Sequence, residues 1–119
     1  MRDKLLINGL EAVTRIGTTE IEQETPQTVW VDLELAIDAR TAAARDYVTD
    51  AVDYARVAEE VRRLLEGRSW QLLETAAEQI ATLVMRGFGI PRVRVKITKR
   101  ALEGIEGASV EISRRRVSG

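Results

Sequence analysis

Neither cysteine nor histidine occurs anywhere in the 119 residues. Their absence excludes disulfides, thiolate nucleophiles, the common zinc sites and any Ser-His-Asp triad. Chemistry in this chain must run on carboxylates, lysine, arginine, tyrosine, hydroxyls or water, or on an oxygen-ligated metal. A charge excess is missing too. Lys plus Arg number 18 against 19 Asp plus Glu, so no basic field points to nucleic acid. No apolar run approaches the roughly 18 residues of a membrane span, and the N-terminus carries no signal-peptide pattern. A cytoplasmic protein with no membrane partner is therefore expected. Internal repeats and low-complexity segments are lacking, and the length suits a single domain over 1–119 with one core.

What the chain does have is clear periodicity. Lys4 to Ile16 reads as a strand interrupted at Asn8-Gly9, where a bulge or sharp bend is expected. Thr18 to Gln27 is polar and acidic and reads as a surface loop between hairpin strands. From Thr28 to Asp38 the alternation is strict: Val29, Val31, Leu33, Leu35 and Ile37 share one face, and Trp30, Asp32, Glu34, Ala36 and Asp38 the other. Ala39 to Thr49 has no persistent period and reads as a long connection.

Asp50 or Asp53 can cap the helix that follows, whose stripe is Tyr54, Val57, Ala58, Val61, Leu64 and Leu65. Such a stripe makes Tyr54 a core tyrosine by default. Gly67 ends this helix, and Ser69 is placed as the cap of the next, running from Trp70 to about Arg86. Leu73, Ala76, Ala77, Ile80 and Val84 form its apolar face. Glu74 stands on the shoulder of that face in the first turn, where the helix dipole favours a carboxylate. Arg92 to Lys99 alternates again, and Lys99 carries the parity of Val93, Val95 and Ile97, which predicts partial desolvation of its ammonium. A Gly-containing loop over 101–107 leads to a last strand through Val110 and Ile112, and Arg114-Arg115-Arg116 reads as a solvated tail.

The element order is thus β-β-α-α-β-β, and the class is α+β: a four-stranded antiparallel sheet with two helices on one face. The other face is acidic on the second strand and basic on the third, so ion pairs across strands or between subunits are expected. An open sheet leaves edges, and closing a barrel with neighbouring chains would remove them, so a homo-oligomer is expected.

Taken in order, several short pieces make a pattern: Ile16-Gly17 followed by Glu22 and Gln27; Asp46-Tyr47-Val48-Thr49-Asp50-Ala51-Val52-Asp53-Tyr54; Leu72-Leu73-Glu74 with Ala77-Glu78; Val95-Lys96-Ile97-Thr98-Lys99; and Gly107-Ala108-Ser109-Val110-Glu111-Ile112. With these the chain resembles the dihydroneopterin aldolases and the related dihydroneopterin triphosphate epimerases of the tunnelling-fold group. The resemblance implies sheets closing into a tetrameric ring or an octamer, with active sites at subunit interfaces and a pterin as small-molecule substrate. It implies Glu74 as the pterin anchor, with the backbone of Leu73 and Val52 at the same pocket. It also implies Glu22 and Tyr54 as substrate-binding residues and Lys99 and Tyr54 as catalytic ones. No metal and no organic cofactor are implied, because the dihydropterin ring supplies its own electron sink. Three readings remain open from sequence: an aldolase of folate biosynthesis with epimerase side activity, an epimerase of the triphosphate, and a non-catalytic pterin-binding protein.

Overall fold

The structure, a computed structural model, describes residues 3–100 and 104–117. Strand β1 (Asp3–Ile16) pairs antiparallel with β2 (Gln27–Ile37), and the register slips between Ile7 and Leu10, at the expected break. Gly9 holds φ +68 there, and its N–H donates to Asp32 Oδ1 at 2.7 Å, so the bulge is anchored to the neighbouring strand. Two helices follow: α3 (Tyr54–Glu66), capped by Asp53, and α4 (Leu73–Gly87). Strand β4 (Arg92–Lys99) pairs with β2 and then with β5 (Ala108–Arg115), both antiparallel. The expected loop over 101–107 lies partly outside the described residues.

Burial follows the periodicity. Val29, Val31, Leu33 and Leu35 of β2 and Val93, Val95 and Ile97 of β4 meet Val57, Val61 and Leu65 of α3 and Ala76, Ala77, Ile80 and Val84 of α4 in one core. On the opposite face Glu34 lies across from Arg94 and joins both Lys4 (3.0 Å) and Arg94 (3.3 Å). The expected cross-strand attraction therefore forms within one chain.

The sheet has five strands, not four. Ser69–Trp70 is a short strand, β3, parallel to Arg15 and Ile16 of β1, giving the order β3-β1-β2-β4-β5. Ser69 is thus not a helix cap, and α4 starts three residues after Trp70 with Leu72 at the cap position and no side-chain cap. The indole decides this. Trp70 is fully buried, its Nε1–H donates to Leu65 O at 3.1 Å, and its carbonyl accepts from Gly17 N–H at 3.0 Å. Extended backbone is what lets this residue satisfy both its ring and its peptide groups while buried.

Two expected connections are helical in part. Glu20–Glu24 forms a short helix, α1, started by a capping box in which Thr19 and Glu22 satisfy each other's backbone N–H. Ala39–Arg45 forms α2, so Asp38 is its N-cap and not the end of β2. That helix stops at Asp46, whose φ of 53 lies in the left-handed region, and a single 3-10 turn over Val48–Asp50 follows. Arg114 and Arg115 belong to β5 instead of a tail, and the Arg114 guanidinium pairs with Glu78 of α4.

One buried polar residue tests how β1 is held. The hydroxyl of Thr14 lies 2.6 Å from Leu65 O and 3.0 Å from Arg68 O, bracing β1 against the end of α3. Thr14→Val keeps the shape and removes the donor. The expected cost is about 1–3 kcal/mol, read as a lower urea midpoint at unchanged slope.

Candidate functional site

Lys99 ends β4 opposite Val29, on the side of the sheet that faces the helices. That parity turns its side chain inward, where only 15% of it stays exposed. Its Nζ donates to Glu22 Oε2 at 2.7 Å and lies 3.5 Å from Ile16 O. Glu22 comes from α1, 77 residues away in the chain, and its other oxygen is the one used in the capping box with Thr19.

This carboxylate is held below its ordinary value of 4.5. The hydrogen bond from Lys99 is the main cause, burial opposes it, and the Thr19 N–H and hydroxyl assist. A depressed carboxyl contributes stability in full above its ordinary value, and that contribution is lost as pH falls through the lower folded value. The pair should therefore hold at pH 4.5 and come apart only as pH falls through the lower folded value. In acid-unfolding titrations Glu22→Gln is expected to remove that part of the slope and leave the neutral-pH slope unchanged.

Gly17 is what lets the pair exist. A Cβ on this residue would lie 2.1 Å from the Glu22 carboxyl carbon, and the backbone holds φ +147. Next to it, Gln23 of α1 donates through Nε2 to Gly17 O (2.6 Å) and to Trp70 O (2.7 Å). Gln27 Nε2 donates to Ile16 O at 2.9 Å. The turn after β1 is thus tied to α1 and to β3, and β3 leads directly into Leu73 and Glu74.

Leu73 is buried at the first position of α4, and Glu74 is exposed beside it. A free carboxylate at a helix start can accept two parallel N–H donors from a ligand, a charge-assisted arrangement roughly twice as strong as a neutral one. A cleft of about 380 Å³, lined by Gln23, Arg68, Ser69, Gln71, Leu72 and Thr75, adjoins that turn. A cleft of about 640 Å³ lies at the opposite end of β4 among Lys4, Arg92, Arg94 and Arg115, away from the Lys99 pair.

Val52 and Tyr54 do not join this group. Tyr54 is 64% exposed at the first position of α3, so it is no core tyrosine; the buried stripe begins at Val57. Val52 borders a different cleft, with Leu5, Ile37, Phe88, Ile90 and Pro91. The guanidinium of Arg56, two residues after Tyr54, stands 5.9 Å from the Phe88 ring, which places the start of α3 at the far end of α4. The 15 residues of α4 span about 22 Å. In one chain, then, Glu22, Lys99, Leu73 and Glu74 sit at one end of the helix pair, and Val52 and Tyr54 at the other.

Gln23 and the steric part of Gly17 had no sequence reading as site features. The Thr19-x-x-Glu22 spacing is a legible capping box and could have located α1; the reach of Gln23 to Trp70 depends on β3 and had no local signal. Among the described residues no group of three or more carboxylates is gathered as a metal would require, and no helix is long and apolar enough to cross a membrane.

Comparison with known proteins points in one direction. Residues 5–113 match the family model described as FolB: Dihydroneopterin aldolase. The chain is 39% identical over 97 residues to the dihydroneopterin aldolase of Escherichia coli K12, covering 82% of this chain and 80% of that one. It has the same identity over 97 residues to the Streptomyces coelicolor dihydroneopterin aldolase, covering 82% of each. A crystal structure of the E. coli dihydroneopterin aldolase in complex with neopterin superposes with a TM-score of 0.91 at 37% identity, over 94% of this chain and 98% of that one.

Proposed function

The chain belongs to the dihydroneopterin aldolase family of carbon–carbon lyases, and we propose that Glu22, Lys99, Leu73 and Glu74 form one half of its pterin pocket. Val52 and Tyr54 of a second copy supply the other half. The observation that carries this reading is the Lys99–Glu22 contact at 2.7 Å, tied through Gln23 and Trp70 to the start of the helix bearing Glu74.

The dihydropterin ring presents N3–H and its 2-amino group side by side, two donors suited to the Glu74 carboxylate. The reaction is cleavage of the C1′–C2′ bond of 7,8-dihydroneopterin. A base takes the 2′-hydroxyl proton, the C2′ oxygen becomes the carbonyl of glycolaldehyde, and the bonding electrons flow through C1′ and C6 to N5, which is protonated. Return of a proton to C1′ with loss of the N5 proton leaves 6-hydroxymethyl-7,8-dihydropterin. Lys99, with Glu22 beside it, handles the protons at N5 and the side chain, and Tyr54 delivers the one at C1′. General acid–base help of this kind is typically worth about 10²–10⁴-fold.

Two features support a pocket shared between copies. The two groups of site residues stand roughly 20 Å apart in one chain, too far to hold one pterin. The segment bearing the second group is also poorly covered: Tyr47, Val48 and Tyr54 are exposed, while Asp50 Oδ2 is buried with no hydrogen bond, its nearest cation being Arg45 at 3.6 Å. A second copy packed there covers the apolar side chains and closes a ring.

The test is an incubation of purified protein with 7,8-dihydroneopterin and, separately, with its triphosphate, products being resolved by chromatography. Release of 6-hydroxymethyl-7,8-dihydropterin supports the aldolase, whereas an isomeric triphosphate without cleavage identifies an epimerase. Mixing addresses the shared pocket. Lys99→Ala and Tyr54→Phe are each expected to be nearly inactive, but dissociation and reassembly of the two together should restore roughly a quarter of parental activity, since one interface in four then joins two intact halves. No recovery in reassembled mixtures would place both residues in one chain's pocket.

A further inference from the structure

We infer that Gln23 is a positioning residue: its carboxamide sets where the Glu22–Lys99 pair stands relative to the pterin-anchoring start of α4. The inference rests on the reading of the pocket above.

Helix α1 has five residues and buries none of them. A helix that short has no stability of its own, because a single turn cannot repay nucleation. Its place must come from side-chain ties. The capping box orients Glu22 within α1, but all of its members lie within α1 and the residue before it, so it fixes no position against the rest of the protein. Gln23 does that. Its Nε2 donates to Gly17 O at 2.6 Å and to Trp70 O at 2.7 Å. Trp70 O also accepts the Gly17 N–H, at 3.0 Å.

Both neighbours of the amide nitrogen are carbonyl oxygens, so the orientation of the side chain is dictated by its surroundings: only the NH2 end can face them. One carboxamide thereby joins the end of β1, α1 and β3. Glu22 is the residue before it, and Leu73 and Glu74 follow three and four residues after the carbonyl it holds. Gln23 bonds backbone carbonyls, not the Lys99 ammonium or the Glu74 carboxylate, and acts through the backbone that carries them. Among the described residues the charged group that meets Glu22 from another element is Lys99 of β4.

The experiment compares Gln23→Met, Gln23→Glu and Gln23→Lys in the full-length assembled protein. Methionine has similar length and no donors. Glutamate has the same shape but meets the two carbonyls with acceptors. Lysine again offers hydrogens to both. Gln23→Met is expected to lower kcat/KM by about 10–100-fold, the loss typical of a misplacement near 1 Å. The acidic limb of its pH profile should move to higher pH as Glu22 loses its grip on Lys99. Gln23→Glu should fall at least as far, and Gln23→Lys should recover most of the rate.

A loss in Gln23→Met with an unmoved acidic limb would mean a purely structural role, and parental kcat/KM in that variant would overturn the inference. Equal impairment of Gln23→Lys would overturn the donor argument. Carbon-detected NMR titration of the Glu22 carboxyl separates this outcome from failure of the functional reading, because it needs no substrate. The parent should titrate below 4.5, and Gln23→Met above the parent. Identical titrations would sink the proposal even in a protein that turned over no pterin.

Discussion

Lys99→Ala is expected to reduce turnover of 7,8-dihydroneopterin by about 10²–10⁴-fold while circular dichroism and assembly remain those of the parent. The ammonium is the group within reach of Glu22, at 2.7 Å, and it is mostly shielded from water. Removing it takes away both the proton donor and the main cause of the lowered Glu22 carboxyl, which should then titrate higher than in the parent. Alanine also removes the methylenes of a side chain that is only 15% exposed. Lys99→Met keeps that stem. The two variants should be equally inactive if the ammonium does the chemistry. Near-parental kcat in Lys99→Met would show that proton transfer runs elsewhere.

Gly17→Ala is expected to cost more in activity than its size suggests. The added Cβ falls 2.1 Å from the Glu22 carboxyl carbon, at a backbone φ of +147 that L side chains rarely adopt. The carboxylate is the far end of a flexible side chain and can swing aside, so the steric clash alone need not unfold the turn. Swinging aside, however, breaks the contact with Lys99. The strain in φ remains, at about 1–3 kcal/mol. Chemical denaturation should show a stability loss of that order, and kcat should fall about as far as in Lys99→Ala. Parental kcat together with lowered stability would mean that Glu22 is not needed beside Lys99.

Much of the fold was legible because it rests on near neighbours. Period-two alternation placed β2 and β4, Asn8-Gly9 placed the bulge, and the Val57–Leu65 and Leu73–Val84 stripes placed α3 and α4. Short elements were missed because their signals were weak or non-local. Helix α2 lies in a stretch with no apolar period, and α1 was masked by its acidic composition although its capping box was in plain view. Strand β3 had no local signal: two residues cannot show alternation, and Trp70 adopts extended backbone because Arg15 and Ile16 lie beside it.

The candidate site divides along the same line. Glu74 at a helix start and Lys99 with apolar parity can be read one residue at a time, and so can the acidic composition around Glu22. Whether they meet cannot be. Lys99 and Glu22 are 77 residues apart, and they come together only when β4 pairs with β2 in the register that sets Lys99 opposite Val29. The stripe that made Tyr54 look buried runs one turn beyond the edge of the core, so the end of a packed surface, not the period, exposes it.

The sequence by itself determined which chemistry is available, by omitting histidine and cysteine, and which faces of the long elements are apolar, because both are properties of composition and local spacing. Only the tertiary structure decided that Gly17, Glu22, Gln23 and Lys99 converge, and that Val52 and Tyr54 stand a helix length away from Glu74. The reason is that sheet register and helix packing fix distances between residues remote in sequence, and no local periodicity encodes them.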